Sequence, residues 1–169
     1  MLDIIIGNVC SLLATVTDTV SSTRKTAKGV LIAQTFSQLF YCIGAIILAG
    51  YSAAVQNAVS IVRNLSAMGG KTPKWLEWTL VVLGVVLGIA FNNLGLIGWL
   101  PIIAGLSYSL AVFRFSNDER KLKWSFAICV GLYTVFNFAI WNIVGAISNL
   151  FVCVTTILLL LKKKESTEN

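Results

Sequence analysis

The stretch Gly29–Gly50, GVLIAQTFSQLFYCIGAIILAG, carries no charge and follows directly on the basic cluster Arg24-Lys25-Thr26-Ala27-Lys28. As a helix rising about 1.5 Å per residue it is roughly 33 Å long, against a bilayer hydrocarbon core of about 30 Å. An apolar run of membrane length behind a small basic cluster predicts a transmembrane helix entering from the cytoplasm.

The same unit recurs along the chain. Seven apolar segments are predicted, at about Asp3–Thr19, Gly29–Gly50, Tyr51–Ala67, Trp75–Phe91, Leu96–Phe113, Trp124–Ile140 and Trp141–Leu161. Tight turns at Gly50-Tyr51, Asn92-Asn93-Leu94-Gly95 and Ile140-Trp141-Asn142 hold neighbours antiparallel. All 13 Lys and Arg residues fall on one side of this topology. They cluster after segments 1, 3, 5 and 7, with Arg63 at the end of segment 3, and the intervening links have none. The positive-inside rule then puts the N-terminus outside and the C-terminus in the cytoplasm. Trp75, Trp78 and Trp124 fall at predicted cytoplasmic ends, and Trp99 and Trp141 near outer ends, as expected of residues that prefer the headgroup level.

Composition agrees. The chain of 169 residues is 57% hydrophobic and 12% charged, whereas soluble domains carry about 25% charged residues. The net charge of +6 is distributed as loops rather than as a continuous face, which excludes a nucleic-acid surface. Cys10, Cys42, Cys129 and Cys153 stand singly in apolar runs, and there is no histidine. These features exclude a disulfide scaffold, a zinc site and imidazole-ligated haem, so no cofactor is expected. The chain opens without a basic region before its first apolar run, so a retained helix is expected there rather than a cleaved leader.

Segments 1–3 and 5–7 have the same pattern: inward to a basic loop, outward, a tight turn, inward again. Arg24-Lys25-Thr26-Ala27-Lys28 parallels Glu119-Arg120-Lys121-Leu122-Lys123, and Ala54-Val55-Gln56-Asn57 parallels Ala146-Ile147-Ser148-Asn149. The predicted architecture is an all-α 3+1+3 parallel repeat. It comprises a first triple-helix bundle (1–67), a linker helix (68–95), a second bundle (96–161) and a basic, polar cytoplasmic tail (162–169).

Polar residues within a bilayer are costly unless they face protein or a wet cavity, so they mark candidate sites. Asn57, Ser60 and Asn64 share one face of segment 3, and Gln34, Gln38 and Tyr41 one face of segment 2. Tyr133 and Asn137 do the same on segment 6, and Asn149 and Thr156 on segment 7. Ser107 and Tyr108 are the polar positions of segment 5. An amide can pair bidentately with a hydroxyl- or amide-bearing ligand, and nearby rings can stack. Asn57, Ser60, Tyr133, Asn137, Asn149, Gln38 and Tyr108 form the candidate substrate-binding set. The competing reading is helix-to-helix glue, which the same groups provide without any ligand. Arg63 is expected to snorkel to the headgroups or to contribute to an inner gate. Asp3, Asp18 and Glu77 all fall near predicted helix ends, which leaves no acid at mid-depth and favours passive rather than proton-coupled movement. No nucleophile–base constellation is present, and no enzyme is expected.

The chain resembles the bacterial inner-membrane YgjV-type family. The resemblance rests on Asn57-Ala58-Val59-Ser60 with Arg63-Asn64, on Leu100-Pro101-Ile102-Ile103-Ala104-Gly105, on Val135-Phe136-Asn137-Phe138, and on Asn149. That family is distantly similar to the SWEET sugar facilitators, PnuC-type vitamin transporters and PQ-loop proteins. The resemblance implies a multi-pass protein of the bacterial inner membrane that moves a small metabolite, such as a sugar, nucleoside or vitamin precursor. It also implies Pro101 as a gate or hinge, although segment 1 has no matching proline. A peptide- or partner-binding receptor, or an assembly factor, on the same scaffold is the alternative. Lipid and a small solute are the expected partners, and monomer and homodimer both remain open.

Overall fold

The computed structural model describes residues 2–48, 50–70, 72–139 and 143–168; the side chains of 4 and 163–168 lie outside that description. Lys71, the Ile140-Trp141-Asn142 turn and the side chains of Lys163 and Lys164 thus fall outside it. Seven α-helices and no strands are present among the described residues: α1 Leu2–Thr23, α2 Ala27–Ile47, α3 Tyr51–Met68, α4 Lys74–Ala90, α5 Trp99–Phe115, α6 Glu119–Ala139 and α7 Ile143–Glu168.

Local chemistry sets the breaks. Thr26 caps α2, its hydroxyl accepting the Gly29 N–H at 3.1 Å. Gly70 follows α3 with φ of 87°, a left-handed turn that favours glycine, and Pro73 precedes α4. Asn92 folds the α4–α5 link by accepting from Leu94 N–H and donating to the Gly95 carbonyl. Asp118 caps α6 through the Lys121 N–H at 3.0 Å, which together with the Lys121 ammonium holds its carboxyl below the ordinary value.

Three boundaries differ from the sequence reading by four residues or more. α1 continues to Thr23, past the expected Thr19. α6 starts at Glu119 because of the Asp118 cap, so Arg120, Lys121 and Lys123 stand on helix rather than loop. The segment 162–168, expected as a tail, continues α7.

Four helices contain stretches long and apolar enough to cross a membrane: Ile5–Thr23, Ala27–Ile47, Glu119–Ala139 and Ile143–Lys162. α5 is apolar but shorter, and α4, with 17 residues, falls just below that length. α3 fails on polarity, because it carries Gln56, Asn57, Arg63 and Asn64. All four of those side chains are buried. On α1, Ile5, Val9, Leu12, Leu13 and Val16 face outward, while Ser11, Asp18, Ser21 and Ser22 face inward. Other helices also turn large apolar side chains outward, among them Phe36, Val62, Val82 and Phe151. An apolar exterior around an interior that includes many polar groups is stable when hydrocarbon rather than water is outside.

The helices close a ring in the order α1, α2, α3, α5, α6, α7 and back to α1, and α4 packs outside it against α3 and α5. The α1–α2 link, the end of α3 and the α5–α6 link meet at one end, around Lys25, Lys28, Met68, Gly70, Asn117 and Glu119. There Lys123 is buried on α6 and meets Glu119 and the Arg24 carbonyl oxygen, the latter at 2.7 Å. A core including Leu31, Ala67, Val112, Leu122 and Phe126 fills the ring on this basic side.

Candidate functional site

Above that core the ring is hollow. A cavity of about 140 Å³ runs from Asp18, Arg63 and Phe126 to Leu48, Gly50, Leu94 and Gly145 at the end opposite the basic loops. Every ring helix contributes to its wall. All seven residues read as substrate-binding line it: Gln38 from α2, Asn57 and Ser60 from α3, Tyr108 from α5, Tyr133 and Asn137 from α6, and Asn149 from α7. Asn57 and Asn149 are 6% and 5% exposed, so their amides are committed to the interior. Tyr41 also lines the wall and donates to Oδ1 of Asn149 at 3.1 Å.

Arg63 lines the same cavity but does not snorkel. It lies inside α3 on the face turned into the bundle, and is 1% exposed. Its Nε and Nη2 both donate to Asn64 Oδ1, at 3.0 and 2.9 Å, and its Nη1 donates to Ser109 at 3.1 Å. Its Cζ sits 4.8 Å from the Tyr108 ring centroid, a cation–π contact in a desolvated setting. Tyr108 in turn donates to Gln34 Oε1 at 2.6 Å and packs on Phe126, with centroids 5.8 Å apart.

Asp18 was missed as a site residue. Because α1 runs to Thr23, it stands more than a turn inside the helix, 1% exposed, lining the cavity and accepting from the Ser37 hydroxyl. Asp18 was expected at a helix end; it is instead a buried carboxyl group in the cavity wall, in the last third of α1. The signal was present in α1: Gly7, Cys10, Ser11, Ala14, Asp18 and Ser21 recur at helical spacing and are all buried. No salt bridge joins Asp18 to Arg63, although both line one chamber.

The remaining polar positions serve packing. Ser22 and Thr156 hydrogen-bond at 2.5 Å across α1 and α7. Ser107 faces outward and bonds to its own helix. Gln56, next to Asn57, points away from the chamber wall it adjoins: its Nε2 donates to the Gly84 carbonyl at 2.7 Å. A Cβ on Gly88 or Gly105 would collide with its amide, so these two glycines form the slot that holds it, with the Gly84 carbonyl as its acceptor. Pro101 is buried in the first turn of α5 and is not part of the cavity wall. A proline there breaks no helical hydrogen bond, so the position is a helix start and not a mid-helix hinge.

A ring of helices with an apolar outside, four of them long and apolar enough to cross a membrane, around a chamber with polar groups in its wall defines a helical membrane protein with an internal cavity. The chain belongs to the Imp-YgjV family of bacterial inner membrane proteins, whose family model matches residues 5–166. No curated protein matches the chain, and no solved structure does.

Proposed function

We propose that this protein is a seven-span transporter that moves a small polar or aromatic metabolite across the bacterial inner membrane without altering it chemically. The observation that carries the reading is the chamber: a cavity lined by amides, hydroxyls and aromatic rings, reaching one end of the ring and blocked at the other by packed apolar side chains. Such an arrangement is what one extreme of an alternating-access cycle requires. With the N-terminus outside, the chamber faces outward and the basic end is the closed cytoplasmic side.

The helix neighbours support the 3+1+3 repeat. α1, α2 and α3 pack in the same order as α5, α6 and α7. The junctions between triplets are α1 with α7 and α3 with α5, each the image of the other under a twofold exchange of triplets. Likeness to the SWEET, PnuC and PQ-loop plan is part of this reading. A receptor on the same scaffold is the second reading, favoured by the fact that the chamber reaches one end only.

Thermal unfolding of the purified protein with sugars, nucleosides, vitamin precursors and amino acids tests binding. A ligand at a hundredfold excess over its Kd stabilises by about 2.7 kcal/mol. Asn57→Ala and Asn149→Ala are each expected to abolish that shift while preserving insertion. Flux of the same compound into proteoliposomes then separates transporter from receptor: binding without flux contradicts the transport reading.

A further inference from the structure

We infer that the chamber takes a small zwitterion, a free amino acid, whose carboxylate pairs with Arg63 and whose ammonium pairs with Asp18. The inference rests on the reading of the chamber as the solute site and names the solute class.

The argument begins with the charged groups. Among the residues of the chamber wall, Asp18 is the one carboxyl group and Arg63 the one basic group, and each is 1% exposed. Buried charges in proteins are normally paired, because an uncompensated ion in a low-dielectric interior is strongly unfavourable. Here no salt bridge joins them, and each is held by neutral groups instead. Asp18 accepts from Ser37, while Arg63 is held by Asn64, Ser109 and the Tyr108 ring.

Arg63 also has donors to spare. Guanidinium has five N–H groups. Three are used, one on Nε, one on Nη1 and one on Nη2, which leaves one on each terminal nitrogen. Two such N–H groups match the bidentate demand of a carboxylate. The two groups are linked through one turn of α2. Ser37, which holds Asp18, is one turn from Gln34, which holds the Tyr108 beneath Arg63.

Net charge then selects among ligands. With Asp18 ionised the wall sums to zero, so a neutral molecule with separated charges compensates both groups. An anion leaves Asp18 without a counter-ion, and a cation leaves Arg63 without one. A sugar compensates neither. Size agrees as well, since 140 Å³ is close to the apolar cavity of about 150 Å³ that accepts benzene. Tyr133 and Phe136, edge to face at 6.5 Å, provide an apolar wall for a side chain.

The test is binding of L-leucine and L-phenylalanine, within a panel of the free amino acids, to the detergent-purified full chain by calorimetry. The derivatives N-acetyl-L-leucine, which lacks the ammonium, and L-leucine methyl ester, which lacks the carboxylate, provide the contrast. At least one free amino acid is expected to bind, with both derivatives of that amino acid at least tenfold weaker. Asp18→Asn keeps the shape and is expected to remove the penalty for N-acetylation. Arg63→Gln is expected to remove the penalty for esterification, and Arg63→Lys to restore part of it. The derivative series on the unaltered protein stands even if a variant fails to fold. Equal binding of the free and derivatised forms, or no amino acid binding at all, overturns the inference. A sugar or nucleoside that crosses proteoliposomes and is lost in Asn57→Ala, with no amino acid bound, overturns it while leaving transport intact. Amino acids that bind in this pattern but never cross overturn transport and leave the zwitterion site standing.

Discussion

Tyr108 shows how one side chain can serve both packing and site. Its hydroxyl donates to Gln34 Oε1 at 2.6 Å, and its ring lies under the Arg63 guanidinium. Tyr108→Phe keeps the ring and removes the donor. Gln34 then has a buried carbonyl without a partner, beside an Nε2 that already lacks one. The expected cost is about 1–3 kcal/mol, measured by thermal unfolding in detergent. A cost near zero would show that the bond does not hold α2 to α5. At this scale much of the chamber was legible: an amide or phenol inside an apolar run is visible, and Asn57, Tyr108 and Asn149 were found that way. Which way a long polar side chain turns was not legible. Arg63 lies close enough to a helix end to snorkel, and only its neighbours on α5 and its own Asn64 turn it inward. Asp18 escaped because a helix end misjudged by one turn moves a residue from headgroup to interior.

Among the elements, α3 carries the least apolar sequence and the most structural demand. One of its faces meets the chamber through Asn57, Ser60 and Arg63, while Gln56 fills the slot formed by Gly88 of α4 and Gly105 of α5 and donates to the Gly84 carbonyl. Gly105→Ala sets a methyl group against the Gln56 amide, and overpacking of this kind costs about 1–3 kcal/mol. In Gln56→Ala/Gly105→Ala the added methyl has room, so the pair is expected to cost less than the sum of the singles by at least about 0.5 kcal/mol. Additive costs would mean that the slot does not act as a unit. The spacing of Gly84 and Gly88 signals close approach in any membrane helix. It carries no information about which neighbour approaches, and here the neighbour is a glutamine from α3 rather than a helix backbone.

For the whole molecule, the alternation of apolar runs with basic loops made seven helices and their order readable, because each span has its own length and charge signature. The closed ring and the position of α4 outside it depend on tertiary packing and were not readable. The orientation is tested by single cysteines on a cysteine-free background: Lys28→Cys is expected to react with impermeant thiol reagents from the cytoplasm, and Leu96→Cys, 88% exposed, from outside. Reaction of both from one side would contradict the topology.

Under the proposed function the chamber opens alternately to the two sides of the membrane. Cys129 is native, buried on α6 and part of the chamber wall, so the protein carries its own reporter once Cys10, Cys42 and Cys153 are replaced by alanine. The most direct measurement is the rate at which an impermeant methanethiosulfonate modifies Cys129 in right-side-out and in inside-out membrane vesicles. The account predicts faster modification from outside, slower but measurable modification from the cytoplasmic side, and protection from both by a bound solute. Modification from outside alone, with none from the cytoplasmic side under any condition, would contradict transport and leave a one-sided receptor.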